Sequence, residues 1–256
     1  MPFVRAGGHR LEYERVDAGN GDRPTLVLLH EGLGSIAMWR GYPARLAEAA
    51  SASVVAYSRY GYGNSDPLTE PRSVRYMHDE AEVVLPEFLR ALDIAHPILV
   101  GHSDGGSIAL IYAGAYPETA TAVVAMAPHV LVEDVSVTSI AAARDAYRTT
   151  SLREKLARYH ADVDGAFWGW NDIWLAPDFR AWNIEAYLPR IACPVLALQG
   201  EDDEYGTMDQ LARIARGARD VELVTLPDCR HAPHREQFDA VLAAIAGFVE
   251  RVSAHA

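Results

Sequence analysis

Two hydrophobic rhythms alternate along this chain. Short apolar runs at Leu26 to His30, Ser53 to Tyr57, Ile98 to Val100, Ala122 to Ala127, Val195 to Gln199 and Val221 to Leu226 are too short for helices. They read as strands, most of them buried on both faces. Between them the apolar positions recur with a helical period, at Trp39 to Ala50, Val74 to Leu92, Gly105 to Tyr116, Thr207 to Arg216 and Gln237 to Val252. Pro86 falls inside the second of these and must disturb it, because it lacks an N–H to donate. At the start, Phe3 to Val16 carries Gly7-Gly8 at its centre and predicts an antiparallel hairpin. Strand and helix in alternation predict an α/β fold with a mainly parallel sheet and helices on both faces.

The alternation stops between Pro128 and Arg190. Helical patterns at Ser139 to Arg148 and Leu152 to Tyr159 lead into the aromatic stretch Phe167-Trp168-Gly169-Trp170-Asn171-Asp172-Ile173-Trp174. Four of the five tryptophans, at 168, 170, 174 and 182, lie in this segment. The organisation expected is one core from residues 1–128 and 191–256, interrupted by a helical insertion at 129–190. Large aromatics dominate packing wherever they occur, so most should cement the insertion to the core. One or two of them, Trp168 or Trp170, are expected to face a cavity.

A chain of 256 residues, half of them hydrophobic, can bury a substantial single core. The formal charge of −12 argues against a nucleic-acid or anionic-membrane partner, since either wants a basic face. Lys155 is the only lysine, which reads as compositional bias. Cys193 and Cys229 make no disulfide framework, and Met1 to Arg5 is not followed by the apolar stretch of a signal peptide. No segment has the apolar length to span a bilayer. The expectation is a cytoplasmic protein acting on a small molecule; nothing in the pattern sets an oligomeric state.

Gly101-His102-Ser103-Asp104-Gly105 sits where the run ending at Val100 gives way to helix. A serine on such a turn is lifted clear of the sheet, and the glycines two before and two after it let backbone pass close by. A serine oxygen needs a base at neutral pH, and the base needs a carboxylate to hold its tautomer. Both have candidates downstream in loops that follow strands, the acidic cluster Glu201-Asp202-Asp203-Glu204 and then His231. The carboxyl edge of an open parallel sheet is where ligands bind. His102 should point away from the serine as a packed, hydrogen-bonded group, and Cys229 should pack near the site. His231-Ala232-Pro233-His234 lacks the spacing of a zinc helix, Gly61-Tyr62-Gly63 lacks the third glycine of a dinucleotide loop, and Gly101 to Ser107 lacks the lysine of a phosphate loop. No metal and no cofactor is implied.

In four segments the chain resembles the α/β-hydrolase superfamily. His30-Glu31-Gly32-Leu33-Gly34 is similar to its oxyanion loop, and Ser58-Arg59-Tyr60-Gly61-Tyr62-Gly63-Asn64-Ser65 to its D-x-x-G-x-G-x-S loop; the serine elbow and the acid-to-histidine tail complete the set. The resemblance implies an eight-stranded, mainly parallel sheet with a helical cap at 129–190. It also implies a triad of Ser103, His231 and Asp203, with Asp202 as the alternative acid. The oxyanion amides expected are those of Asp104 and Gly32, with Leu33 the neighbouring choice. Glu31, Leu33, His129, Trp168 and Trp170 are expected in the substrate pocket. Glu31, Ser58 and Arg230 depart from the pattern, where glycine, aspartate and glycine are usual. A carboxylate aimed at an oxyanion site opposes the charge that develops there, so Glu31 is expected to face solvent or pair with an arginine such as Arg59. The Asp104 side chain is expected to be structural.

The reaction implied is two-step acyl transfer to water on a carboxylic ester of a small apolar or aromatic substrate. A thioester or a carbon–carbon bond of a diketone are alternatives for the same residues, and a ligand receptor of the same fold is the alternative of another class. Epoxide hydrolases and haloalkane dehalogenases carry an aspartate at the position of Ser103.

Overall fold

The computed structural model describes residues 1–18 and 23–254. Its strands are β1 (Phe3–Ala6), β2 (His9–Val16), β3 (Leu26–Leu29), β4 (Val54–Tyr57), β5 (Ile98–His102), β6 (Ala122–Met126), β7 (Val195–Gly200) and β8 (Val221–Leu226). They form one eight-stranded sheet in the order β1-β2-β4-β3-β5-β6-β7-β8. The opening hairpin is antiparallel, β2 meets β4 antiparallel, and β3 to β8 run parallel. The carboxyl ends of six strands therefore lie along one edge.

Alternate residues of each central strand face opposite layers, as a period of two requires. Val27, Leu29, Val55, Tyr57 and Leu99 enter one core; Leu26, Leu28, Val54, Ala56, Ile98 and Val100 enter the other. The helices are α1 (Ile36–Trp39), α2 (Tyr42–Ala50), α3 (Tyr76–Asp79), α4 (Leu85–Ala91), α5 (Asp104–Ala115), α6 (Asp134–Thr149), α7 (Leu152–Leu156), α8 (Val163–Leu175), α9 (Asp209–Gly217), α10 (Pro233–Glu236) and α11 (Phe238–Ser253). Helices α2 and α11 cover the second core, while α4, α5 and α9 cover the first.

Two expected helices are broken, for different reasons. The helix expected from Trp39 to Ala50 divides at Arg40, whose φ of 53° cannot continue a right-handed helix. The helix expected from Val74 to Leu92 widens to a π turn at Glu80–Val84 just before Pro86. Pro86 has no N–H to offer the carbonyl of Glu82, one turn back, and the Tyr116 hydroxyl donates to that carbonyl at 2.7 Å. The freed acceptor is thus satisfied.

Residues 129–190, between β6 and β7, hold α6, α7, α8 and two short 3-10 turns. A single antiparallel bridge between Leu131 and Asn183 ties the ends of this segment together. Asp162 caps α8 by accepting the Gly165 N–H at 2.9 Å. Among the described residues no helix is long and apolar enough to cross a membrane.

Candidate active site

Ser103 stands between β5 and α5 with φ 53° and ψ −118°, a strained conformation for a residue with a side chain. The turn is possible because backbone crosses where side chains would otherwise stand. A Cβ on Gly101 would lie 2.1 Å from the Gly105 carbonyl oxygen, and one on Gly105 would lie 2.0 Å from that of Leu29. The Ser103 N–H donates to the Met126 carbonyl at 2.8 Å, which pins the elbow to β6.

Loops after three different strands bring their side chains to this serine. His231, beyond β8, places Nε2 at 2.9 Å from Ser103 Oγ. Its Nδ1 lies 2.8 Å from Asp203 Oδ1, beyond β7. A carboxylate only accepts, so Nδ1 carries the proton and Nε2 presents its lone pair to the serine hydroxyl. Burial works to raise the Asp203 pKa, but the hydrogen bond and charge of His231 and the Tyr205 N–H outweigh it and hold the group below its usual value. Oδ1 also accepts the N–H groups of Tyr205 at 2.8 Å and Gly206 at 3.3 Å. Asp202, the alternative acid, is exposed.

The amides of Gly32, Leu33 and Asp104 donate to no protein acceptor among the described residues. All three residues line one cavity of about 220 Å³ with Ser103 and His231. Asp104 opens α5, so its amide sits at the positive end of a twelve-residue helix. The walls include Leu33, Ile140, Trp170, Trp174 and Tyr205.

Of the expected pocket residues, Glu31, Leu33, His129 and Trp170 line this cavity and Trp168 does not. Helical phase is the reason. Trp170 and Trp174, four apart on α8, share one face, while Trp168 and Asp172 share another and line a separate groove with Leu68 and Arg72. Trp168 packs edge-on against Tyr147 and beneath the Arg148 guanidinium. His129 is buried, with its ring centroid 5.9 Å from that of His231, and burial together with the His231 charge lowers its pKa to about 4. It is a neutral imidazole at pH 7.

Glu31 departs from expectation. Its carboxylate is neither in solvent nor paired with Arg59; Oε2 lies 3.6 Å from His102 Nδ1 and Oε1 3.9 Å from the Arg235 guanidinium. Burial opposes ionisation, yet the His102 hydrogen bond and nearby positive charge hold Glu31 well below the usual carboxylate range. His102 is packed and hydrogen-bonded as expected, but it lines the same cavity as the serine, and its Nε2 meets the His231 carbonyl oxygen at 2.7 Å. Arg59 instead faces Asp104 at 3.6 Å, both side chains 1% exposed, and donates to the Glu31 backbone carbonyl at 2.9 Å. Asp104 also accepts the Tyr76 hydroxyl at 2.7 Å, and Tyr76 in turn accepts the Trp174 indole N–H at 3.0 Å.

The other two departures have local causes. Ser58 donates to Glu12 Oε1 at 2.6 Å, so a carboxylate from β2 serves the turn where the pattern has its own acid. Arg230 points outward to Glu204 at 3.1 Å. Cys229 is fully buried, and burial raises its thiol to about 11, leaving it neutral. Arg235, Glu204, Glu236 and Trp174 also line the cavity. Sequence reasoning missed their place there, and only the helical phase of α8 could have signalled Trp174.

A family model described as the alpha/beta hydrolase family matches residues 26–244. The chain is 25% identical over 253 residues to the 2-hydroxy-6-oxo-6-phenylhexa-2,4-dienoate hydrolase of Burkholderia cepacia, covering 88% of this chain and 86% of that one. It is 33% identical over 117 residues to epoxide hydrolase 4 of Mus musculus, where the match spans 45% of this chain and 31% of the relative's length. Among solved structures, a carboxylesterase of Nitrososphaera gargenis superposes with a TM-score of 0.80 at 21% identity, with all of both chains covered.

Proposed function

The chain belongs to the alpha/beta hydrolase family, and from that premise we propose that it is a serine hydrolase cleaving a carboxylic ester of a small substrate. The observation that carries this reading is the line Asp203 Oδ1, His231, Ser103 Oγ, with links of 2.8 and 2.9 Å, beside amides that have no protein acceptor.

In this mechanism His231 Nε2 takes the Ser103 proton as the oxygen attacks the ester carbonyl. Asp203 stabilises the imidazolium that forms. The Asp104 amide, with that of Gly32 or Leu33, takes the negative oxygen, each such donor contributing about 3–4 kcal/mol to the barrier reduction. His231 then protonates the leaving alcohol, and water repeats the cycle on the acyl-enzyme. The cavity of about 220 Å³ is smaller than the roughly 300–1,000 Å³ of drug-sized ligand sites, so a short acyl or alcohol group fits it. Its indole and aliphatic walls suit an apolar or aromatic group. The residues of 129–190 that reach the cavity act as its cap.

Cleavage of a carbon–carbon bond next to a ketone uses the same residues, and the Burkholderia cepacia relative is what favours it. Assay of the wild type and Ser103→Ala against p-nitrophenyl esters, thioesters and vinylogous diketones tests both readings. The wild type turns over a short ester repeatedly and Ser103→Ala does not. A single equivalent released without further turnover contradicts the enzyme reading in favour of a receptor.

A further inference from the structure

Among the aromatic side chains over the serine, Trp170 stands apart in how its indole nitrogen is placed. Trp174 donates its N–H to Tyr76, and the nitrogens of Trp39 and Trp182 are sealed in the interior. Trp170 is 6% exposed, lines the catalytic cavity, and its N–H has no acceptor among the described residues. A buried indole N–H is ordinarily satisfied, so a donor left open toward a cavity is waiting for an acceptor from outside the protein.

The position of that donor is fixed by the oxyanion loop. A Cβ on Gly32 would lie 2.2 Å from Trp170 Nε1, 2.4 Å from Cδ1 and 3.1 Å from Cε2. The nitrogen is the nearest atom, so the polar corner of the ring, rather than its benzo edge, meets the loop. Gly32 does not have a positive φ. The glycine is therefore required for this approach, not for its dihedral angles, and any larger residue would displace the indole.

We propose that Trp170 is a catalytic residue whose indole N–H donates to the carbonyl oxygen of the substrate beside the backbone amides of Gly32 and Asp104. The inference rests on the serine-hydrolase reading above. It makes the helical segment a contributor to the chemistry as well as a wall, because α8 must be seated for the set of donors to be complete. An N–H donor aimed where the tetrahedral oxygen's charge develops acts in the transition state more than in the ground state.

The test uses enzyme labelled with ¹⁵N at its indole nitrogens, with Trp170→Phe identifying the Trp170 resonance and Trp170→Tyr held as a second variant if the first fails to fold. A small p-nitrophenyl phosphonate is used to modify Ser103, placing a phosphoryl oxygen where the oxyanion would be. On adduct formation the Trp170 indole proton moves downfield, and Trp170→Phe lowers kcat for a short ester by about 100-fold with KM changed far less. An adduct that forms without moving the Trp170 proton, or a Trp170→Phe enzyme with undiminished kcat, overturns the role of Trp170 while leaving the nucleophile in place. Failure of the adduct to form, with Ser103→Ala still active, removes the premise and the proposal together.

Discussion

Replacing Asp203 by asparagine separates two jobs that the carboxylate performs. Oδ1 accepts from three donors, His231 Nδ1 at 2.8 Å, the Tyr205 amide at 2.8 Å and the Gly206 amide at 3.3 Å, whereas Oδ2 is buried with no partner. An asparagine must set either its oxygen or its NH2 against those donors. Placing the oxygen there preserves all three bonds and leaves one unsatisfied NH2, at about 1–3 kcal/mol of stability; the reverse loses all three bonds and opposes donors to donors. The carbonyl should therefore occupy the Oδ1 position and keep the His231 tautomer. What disappears is the charge, and two unit charges about 4 Å apart at an effective dielectric of about 20 interact by about 4 kcal/mol, or roughly 10³ in kcat. Loss of the tautomer as well costs about 10⁴. Steady-state hydrolysis of p-nitrophenyl acetate by wild type, Asp203→Asn and Asp203→Ala should rank in that order, with the alanine variant at least tenfold below the asparagine. Equal rates for the two variants would refute the argument that the Tyr205 and Gly206 amides select the orientation.

Asp104→Ala leaves the Arg59 guanidinium buried without its carboxylate and should cost about 3–5 kcal/mol in urea unfolding; an unchanged midpoint contradicts the pairing. The cavity volume predicts that kcat/KM falls steeply from p-nitrophenyl butyrate to the decanoate, and a preference for the longer ester contradicts the enclosed pocket. His129 is depressed to about 4 by burial, with His30, His160 and His234 shifted in the same direction, so the unfolded chain takes up protons first as the pH falls. Their stability contribution is complete above about pH 6.5, the unfolded histidine value, and is lost as the pH falls toward 4. Calorimetry should give a lower Tm at pH 5 than at pH 7.5, and equal values contradict the burial. Tyr116→Phe removes the donor to the Glu82 carbonyl freed by Pro86 and should cost about 1–2 kcal/mol; no loss in urea unfolding means that water replaces the hydroxyl.

The strands were legible because burial on both faces writes itself as short apolar runs, as at Leu26 to Leu29 and Ile98 to Val100. The loops that meet at Ser103 were legible because each follows such a run, and because backbone crossing at Gly101 and Gly105 leaves room for no side chain. Long-range pairing was not legible. That Glu12 serves Ser58, that Arg59 faces Asp104 instead of the Glu31 carboxylate, and that His102 meets the carbonyl of His231 all depend on how distant strands register. Local pattern carries nothing of that. Trp168 and Trp170 differ only in helical phase, and the phase of α8 is set by its cap at Asp162 and by the surface it docks on. The break at Arg40 had no proline or glycine before it to announce the turn.

Rapid quenching of the enzyme during turnover of p-nitrophenyl acetate, followed by peptide mass measurement, tests the central claim most directly. The account predicts an acetyl group on the peptide that contains Ser103, forming with the burst of nitrophenol and decaying at the rate of steady turnover. Undiminished turnover with Ser103 never acetylated would contradict it.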